Sequence, residues 1–174
     1  GNPIGMASAV TFTGSGELDN GWTYALSIAE GDASAYSSSN IDIVMGGLGS
    51  INFDQGDSGN GIAAYDNVMP TAWEEPHGAG ISGGVKTVLG SGSSNNVMYT
   101  TPTVFGTSMA LTYAHDYGTT DTADKTTSAT EDESGRSYDL TMKINPSLGT
   151  EILSGLNLYA GASTIETHGN SSVT

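Results

Sequence analysis

The sequence predicts an all-β protein, folded as a transmembrane antiparallel β-barrel, and three observations carry that prediction. Apolar residues recur at every second position in about eight segments, and the alternate positions hold mainly Thr, Ser, Ala, Asn and Asp, a face suited to a water-filled lumen. The links between segments alternate short and long, as periplasmic turns and external loops do. Trp22, Tyr99, Tyr113 and Tyr138 sit near segment ends, where interfacial aromatic girdles lie.

The segments follow in order. Between Ala7 and Leu18, Val10, Phe12 and Leu18 share one face, and Thr11, Thr13, Ser15 and Glu17 share the other. Asp19-Asn20-Gly21 then reads as a hairpin turn, with Asn-Gly supplying positive φ angles. From Trp22 to Glu30, Trp22, Tyr24, Leu26 and Ile28 alternate with Thr23, Ala25, Ser27 and Ala29. Ile41, Ile43 and Met45 alternate with Asp42 and Val44, and Ile51 and Phe53 with Asn52 and Asp54. Val97 and Tyr99 begin the second half, followed by Met109, Leu111 and Tyr113. Tyr138, Leu140, Met142 and Ile144 alternate with Asp139, Thr141, Lys143 and Asn145, and Leu156 and Leu158 with Asn157 and Tyr159. On this reading Leu140 faces lipid while Thr141 faces the lumen and tolerates arginine. The short links are Asp19–Gly21, Gly46–Gly49, Pro102–Gly106 and Pro146–Glu151, and the long ones Gly31–Asn40, Gly56–Ser93 and Asp116–Arg136. A soluble β-sandwich alternates in the same way and is the competing architecture.

Composition narrows function by exclusion. Nineteen acidic residues against four basic ones give a net charge of −15, which opposes binding to nucleic acid or to an anionic membrane surface. With no cysteine, disulfides and thiolate chemistry are absent. Glycine is 25 of 174 residues, about twice the usual share. The chain starts at Gly1 without an initiator Met, the expectation for a processed product or a fragment.

No stretch carries a catalytic or cofactor constellation. Gly80–Thr87 resembles a phosphate loop, but Val85 separates Gly84 from Lys86. Asp54–Gly59 fails as an EF-hand, because Gly56 and Tyr65 occupy ligand positions 3 and 12. His77, His115 and His168 are too scattered for a zinc site. The chain is therefore read as a non-enzyme without a cofactor, weak Ca2+ binding by acidic loops being the one ion interaction left open. The informative stretch is Gly56–Ser93, about 38 residues between two strands, a length uncommon without a function. It carries Asp66, Glu74 and Glu75 beside Met69 and Trp73.

Three motifs, Phe12–Trp22, Tyr65–Glu75 and Asn95–Pro102 followed by Phe105-Gly106, resemble in order and spacing the general trimeric Gram-negative porins, particularly their alphaproteobacterial branch. That resemblance implies an outer-membrane barrel of about 16 strands. About eight of these are present here, so that residues 1–174 form a partial barrel and the chain is a fragment. It implies a homotrimer in contact with lipid and lipopolysaccharide, passing small hydrophilic solutes and ions by passive diffusion. Residues 56–93 would be the loop folded into the barrel as its constriction, with Asp66, Glu74 and Glu75 at the narrows. Glu17, Asp42, Asp54, Asp139 and Lys143 would line the pore, and the four acids among them would favour cations. The alternatives are a small eight-stranded outer-membrane barrel, whose interior is filled by its own side chains, and a soluble β-sandwich acting as a binding or structural module. The family often sets an Arg cluster opposite its acidic loop, whereas here the only basic residues are Lys86, Lys125, Arg136 and Lys143.

Overall fold

The computed structural model describes residues 9–31, 34–55, 59–68, 90–92, 95–115, 136–145, 155–166 and 172–173. They form one nine-stranded sheet in strict sequence order. Its strands are β1 (Val10–Glu17), β2 (Thr23–Gly31), β3 (Ser34–Val44), β4 (Ser50–Gln55), β5 (Asn95–Thr100), β6 (Thr107–Ala114), β7 (Ser137–Ile144), β8 (Leu158–Glu166) and β9 (Ser172–Val173). Every neighbouring pair is antiparallel, so the sheet is a meander with β1 and β9 at its edges. No helix among the described residues is long and apolar enough to cross a membrane.

All eight alternating segments fall on strands, the last only from Leu158 onward because Leu156 and Asn157 precede β8, and register fixes which residues share a face. Leu26, Ile41, Phe53, Val97, Tyr113 and Tyr138 form one cross-strand row, and Tyr24, Ile43, Ile51, Tyr99, Leu111 and Leu140 the next. Many of these large apolar residues are exposed, among them Ile41, Phe53, Leu111 and Leu140. The buried residues are mostly polar: Asn52, Asp54, Asn96, Thr112, Ser137, Asp139, Thr141 and Ser163. This inverts the distribution of a water-soluble domain and matches a barrel wall with an apolar outer band and a polar inner face. The aromatic residues mark the two borders of that band. Tyr24 and Tyr99 lie next to short turns, and the Tyr99 hydroxyl donates to Leu48 O at 2.8 Å. Tyr113 and Tyr138 lie beside the long β6–β7 link, with ring centroids 5.1 Å apart.

The β1–β2 hairpin differs in detail from an Asn-Gly turn with two positive φ angles. Only Gly21 takes one (φ 81°), while the Asn20 side chain accepts from Trp22 N at 3.1 Å. A turn closed by a single left-handed glycine needs no strain at the residue before it.

The Gly31–Asn40 link, expected to be a long loop, is mostly strand. β3 begins at Ser34, and Gly31 pairs directly with Ser34. Its Ser-rich start shows no apolar alternation, yet β2 offers a backbone edge there. Ladder hydrogen bonds form whatever the side chains are, since each backbone N–H and C=O needs a partner. The two-residue β9 carries no readable period.

Candidate functional site

Among the described residues, the polar face of the sheet is covered on one side and open on the other. Over β6, β7 and β8 it carries the 3₁₀ helix Gly61–Val68, which belongs to the long β4–β5 link. Over β1–β3 no described residue covers it: Thr11, Thr13, Ser15 and Glu17 are exposed, and Asp42 is half-buried. A shallow groove of about 530 Å³ runs there between Ser15, Glu17, Thr23 and Asp42.

The helix fits its strand through matched repeats. In a 3₁₀ helix, residues i and i+3 eclipse and rise about 6 Å, close to the roughly 6.6 Å between alternate residues of a strand. Ile62 and Tyr65 therefore meet Gly161 and Tyr159 of β8. A Cβ on Gly161 would lie 3.1 Å from Ile62 Cγ1, so glycine leaves the flat place on which Ile62 rests. The rings of Tyr65 and Tyr159 stack at a tilt, centroids 4.8 Å apart. Lys143, exposed and opposite Tyr159 on β7, holds its ammonium 5.8 Å from the Tyr159 ring centroid.

Two polar clusters fix the ends of this link. In the first, Asn60 donates through Nδ2 to Asn52 Oδ1 (2.6 Å) and to Asn96 Oδ1 (2.9 Å). The amides of Asn52 and Asn96 donate in turn to Asp42 Oδ1 (2.7 Å) and Asp54 Oδ2 (3.3 Å). The two carboxylates thus orient both amides, whose oxygens then converge on Asn60. The three amides hold one another in place, because turning any of them breaks two bonds.

The second cluster centres on Asp139, which is fully buried. Its Oδ2 accepts from the backbone N–H groups of Ile62 and Ser91, each at 2.9 Å. Its Oδ1 accepts from the hydroxyls of Ser91 (3.0 Å) and Ser163 (2.6 Å). Four neutral donors replace the water that the buried carboxylate gives up. Asn60 and Gly92 add an antiparallel bridge between the two limbs.

The expected site residues divide as follows. Glu17, Asp42, Asp54, Asp139 and Lys143 all lie on the polar face by strand parity, with Glu17 and Lys143 exposed and Asp54 and Asp139 buried. Asp66 lies in the 3₁₀ helix, its side chain outside the described residues. Glu74 and Glu75 lie outside the described residues altogether, as do His77, His168 and the Gly80–Thr87 stretch. Among the described residues no group of acidic and His side chains could hold a metal ion. Sequence reasoning missed Asn60, Ser91, Ser163 and the Tyr65–Tyr159 pair. The Asn60-Gly61 and Gly90-Ser91-Gly92 steps do signal tight backbone turns, but nothing local says what they turn against.

A family model described as Gram-negative porin matches residues 2–173. No curated protein and no solved structure gave a match.

Proposed function

The chain belongs to the Gram-negative porin family, whose members are outer-membrane channels and not an enzyme class, and we propose that it walls a cation-preferring pore narrowed by the 56–93 loop. The observation that carries this reading is the two-sided sheet: an apolar outer face, and a polar inner face against which the described part of the loop is already packed. A channel of this kind selects by bore and by the charges at its narrows. The uncovered part of the inner face presents Glu17 and Asp42 toward the permeating ion. Asp66, Glu74 and Glu75 supply further negative charge from the loop. Low-dielectric walls focus that field, and within a Debye length of about 8–10 Å the contributions add.

The sheet has edges at β1 and β9. Unpaired backbone groups in lipid cost several kcal/mol each, so in a membrane both edges have to be paired. A closed barrel of eight strands leaves an interior filled by its own side chains, with no space for the Gly61–Val68 helix. That favours the larger, trimeric porin architecture, with lipopolysaccharide around it and small hydrophilic solutes as its cargo.

The test is the reversal potential of the reconstituted porin under a potassium chloride gradient. Cation preference is expected. Replacing Asp66 with Asn and Glu74 and Glu75 with Gln should move the potential toward zero selectivity, more at low salt than at high. An unchanged potential at low salt places these acids outside the permeation path. A chloride-selective wild type refutes the cation preference.

A further inference from the structure

We infer that Asp139 is a positioning residue for permeation, a single carboxylate on β7 that clasps both limbs of the constriction loop and sets where the loop stands in the channel. The inference rests on the pore reading above and adds to it the group that holds the narrows in place. Ile62 lies on the outgoing limb and Ser91 on the returning one, and both backbone N–H groups reach the same oxygen, Asp139 Oδ2, at 2.9 Å. The chain between them is long in sequence and closed in space at one atom. Two glycines permit this approach. Gly61 (φ 64°) and Gly90 (φ 68°) take left-handed conformations, and a Cβ on either would collide with Asp139 Oδ2. The Asn60–Gly92 bridge lies directly beside them.

The two oxygens of Asp139 do different work. Oδ2 faces only backbone N–H groups, whose direction is fixed by the chain. Oδ1 faces only the hydroxyls of Ser91 and Ser163, which rotate and also accept. An asparagine in this place keeps its oxygen on the two limbs and turns its NH2 toward the two hydroxyls. An alanine leaves two backbone donors buried without an acceptor. The clasp therefore needs an oxygen at the Oδ2 position, and the negative charge is secondary. A general destabilisation of β7 would not produce that order of variants.

The experiment compares wild type, Asp139→Asn, Asp139→Ala and Gly90→Ala in the full-length porin by two measurements. The first is trypsin cleavage after Lys86, which lies between the limbs in sequence. The second is single-channel conductance in planar bilayers. Asp139→Ala should speed cleavage by about tenfold or more, the population change expected when two buried backbone donors lose their acceptor and local opening precedes proteolysis. It should also split the single conductance level into several. Asp139→Asn should restore slow cleavage and one level. Gly90→Ala, which leaves the strand untouched, should resemble Asp139→Ala, and it carries the test if the alanine variant does not assemble. Wild-type cleavage and conductance in Gly90→Ala or Asp139→Ala overturn the clasp, as does an Asn variant no better than Ala. Absence of discrete conductance in the wild type would instead refute the pore reading, while the cleavage comparison still judges the clasp.

Discussion

Leu140→Arg is the sharpest test of which face meets lipid. Leu140 is the fourth residue of β7, is 48 % exposed, and lies between Leu111 and Ala162 on the outer face. At about 3.4 Å per residue the two ends of β7 are roughly 10 and 14 Å away. An arginine there has to stretch along the apolar band before its guanidinium meets water, and the cost at mid-membrane is about 2–4 kcal/mol. That corresponds to a drop of about 30- to 900-fold in the folding equilibrium. The comparison is Thr13→Arg. Thr13 is exposed on the polar face of β1, opposite Ser27, and a substitution into water there should cost within about 0.5 kcal/mol. Thr141, the neighbour of Leu140 that alternation makes lumenal and tolerant, is not a suitable control. It is only 3 % exposed, so an arginine at that position has no free space. Reversible folding of the porin into vesicles across a urea series, followed by tryptophan fluorescence, reports both variants. Equal shifts in midpoint for Leu140→Arg and Thr13→Arg would refute the assignment of faces.

Gly49→Ala should destabilise the β3–β4 turn by about 1–3 kcal/mol, because φ 91° with ψ −150° belongs to glycine and a Cβ would strike Thr100 O; the same urea series measures it. Asn60→Ala should cost about 1–3 kcal/mol at the loop neck by leaving the oxygens of Asn52 and Asn96 without their donor. Asn60→Asp should cost more, since it sets a carboxylate against two amide oxygens that Asp42 and Asp54 hold in place. Hydrogen exchange at the Asn60–Gly92 bridge should rise in the same order, and an Asp variant milder than Ala would show that the amide chain is not oriented by its acids.

The strands were legible because their cause is local. A strand in a barrel wall has one face in lipid and one toward water, so side-chain chemistry must alternate with period two, and Leu140 beside Asp139 displays it without reference to the rest of the chain. Parity then assigned Glu17, Asp42, Asp54, Asp139 and Lys143 to one face. Ser34–Asn40 was not legible, because its pairing comes from the backbone edge of β2 and leaves no mark in side-chain chemistry. The short β9 is silent for the same reason.

Parity states which way a side chain points but not what it meets. Asp42 and Asp139 read alike in sequence, as single acids flanked by apolar residues in alternating strands. One lies half-buried at the edge of an open groove, and the other is fully buried under two limbs of a distant loop. The difference comes from where residues 59–68 and 90–92 come to rest. That placement depends on a 3₁₀ repeat matching the spacing of β8, on glycines that let the backbone approach a carboxylate, and on donors from three separate segments meeting at Asp139. These are long-range coincidences of geometry, which no local pattern encodes. The chain's alternation dictates a wall with a polar side, and the fold selects which of its acids remain open to water and which hold the loop.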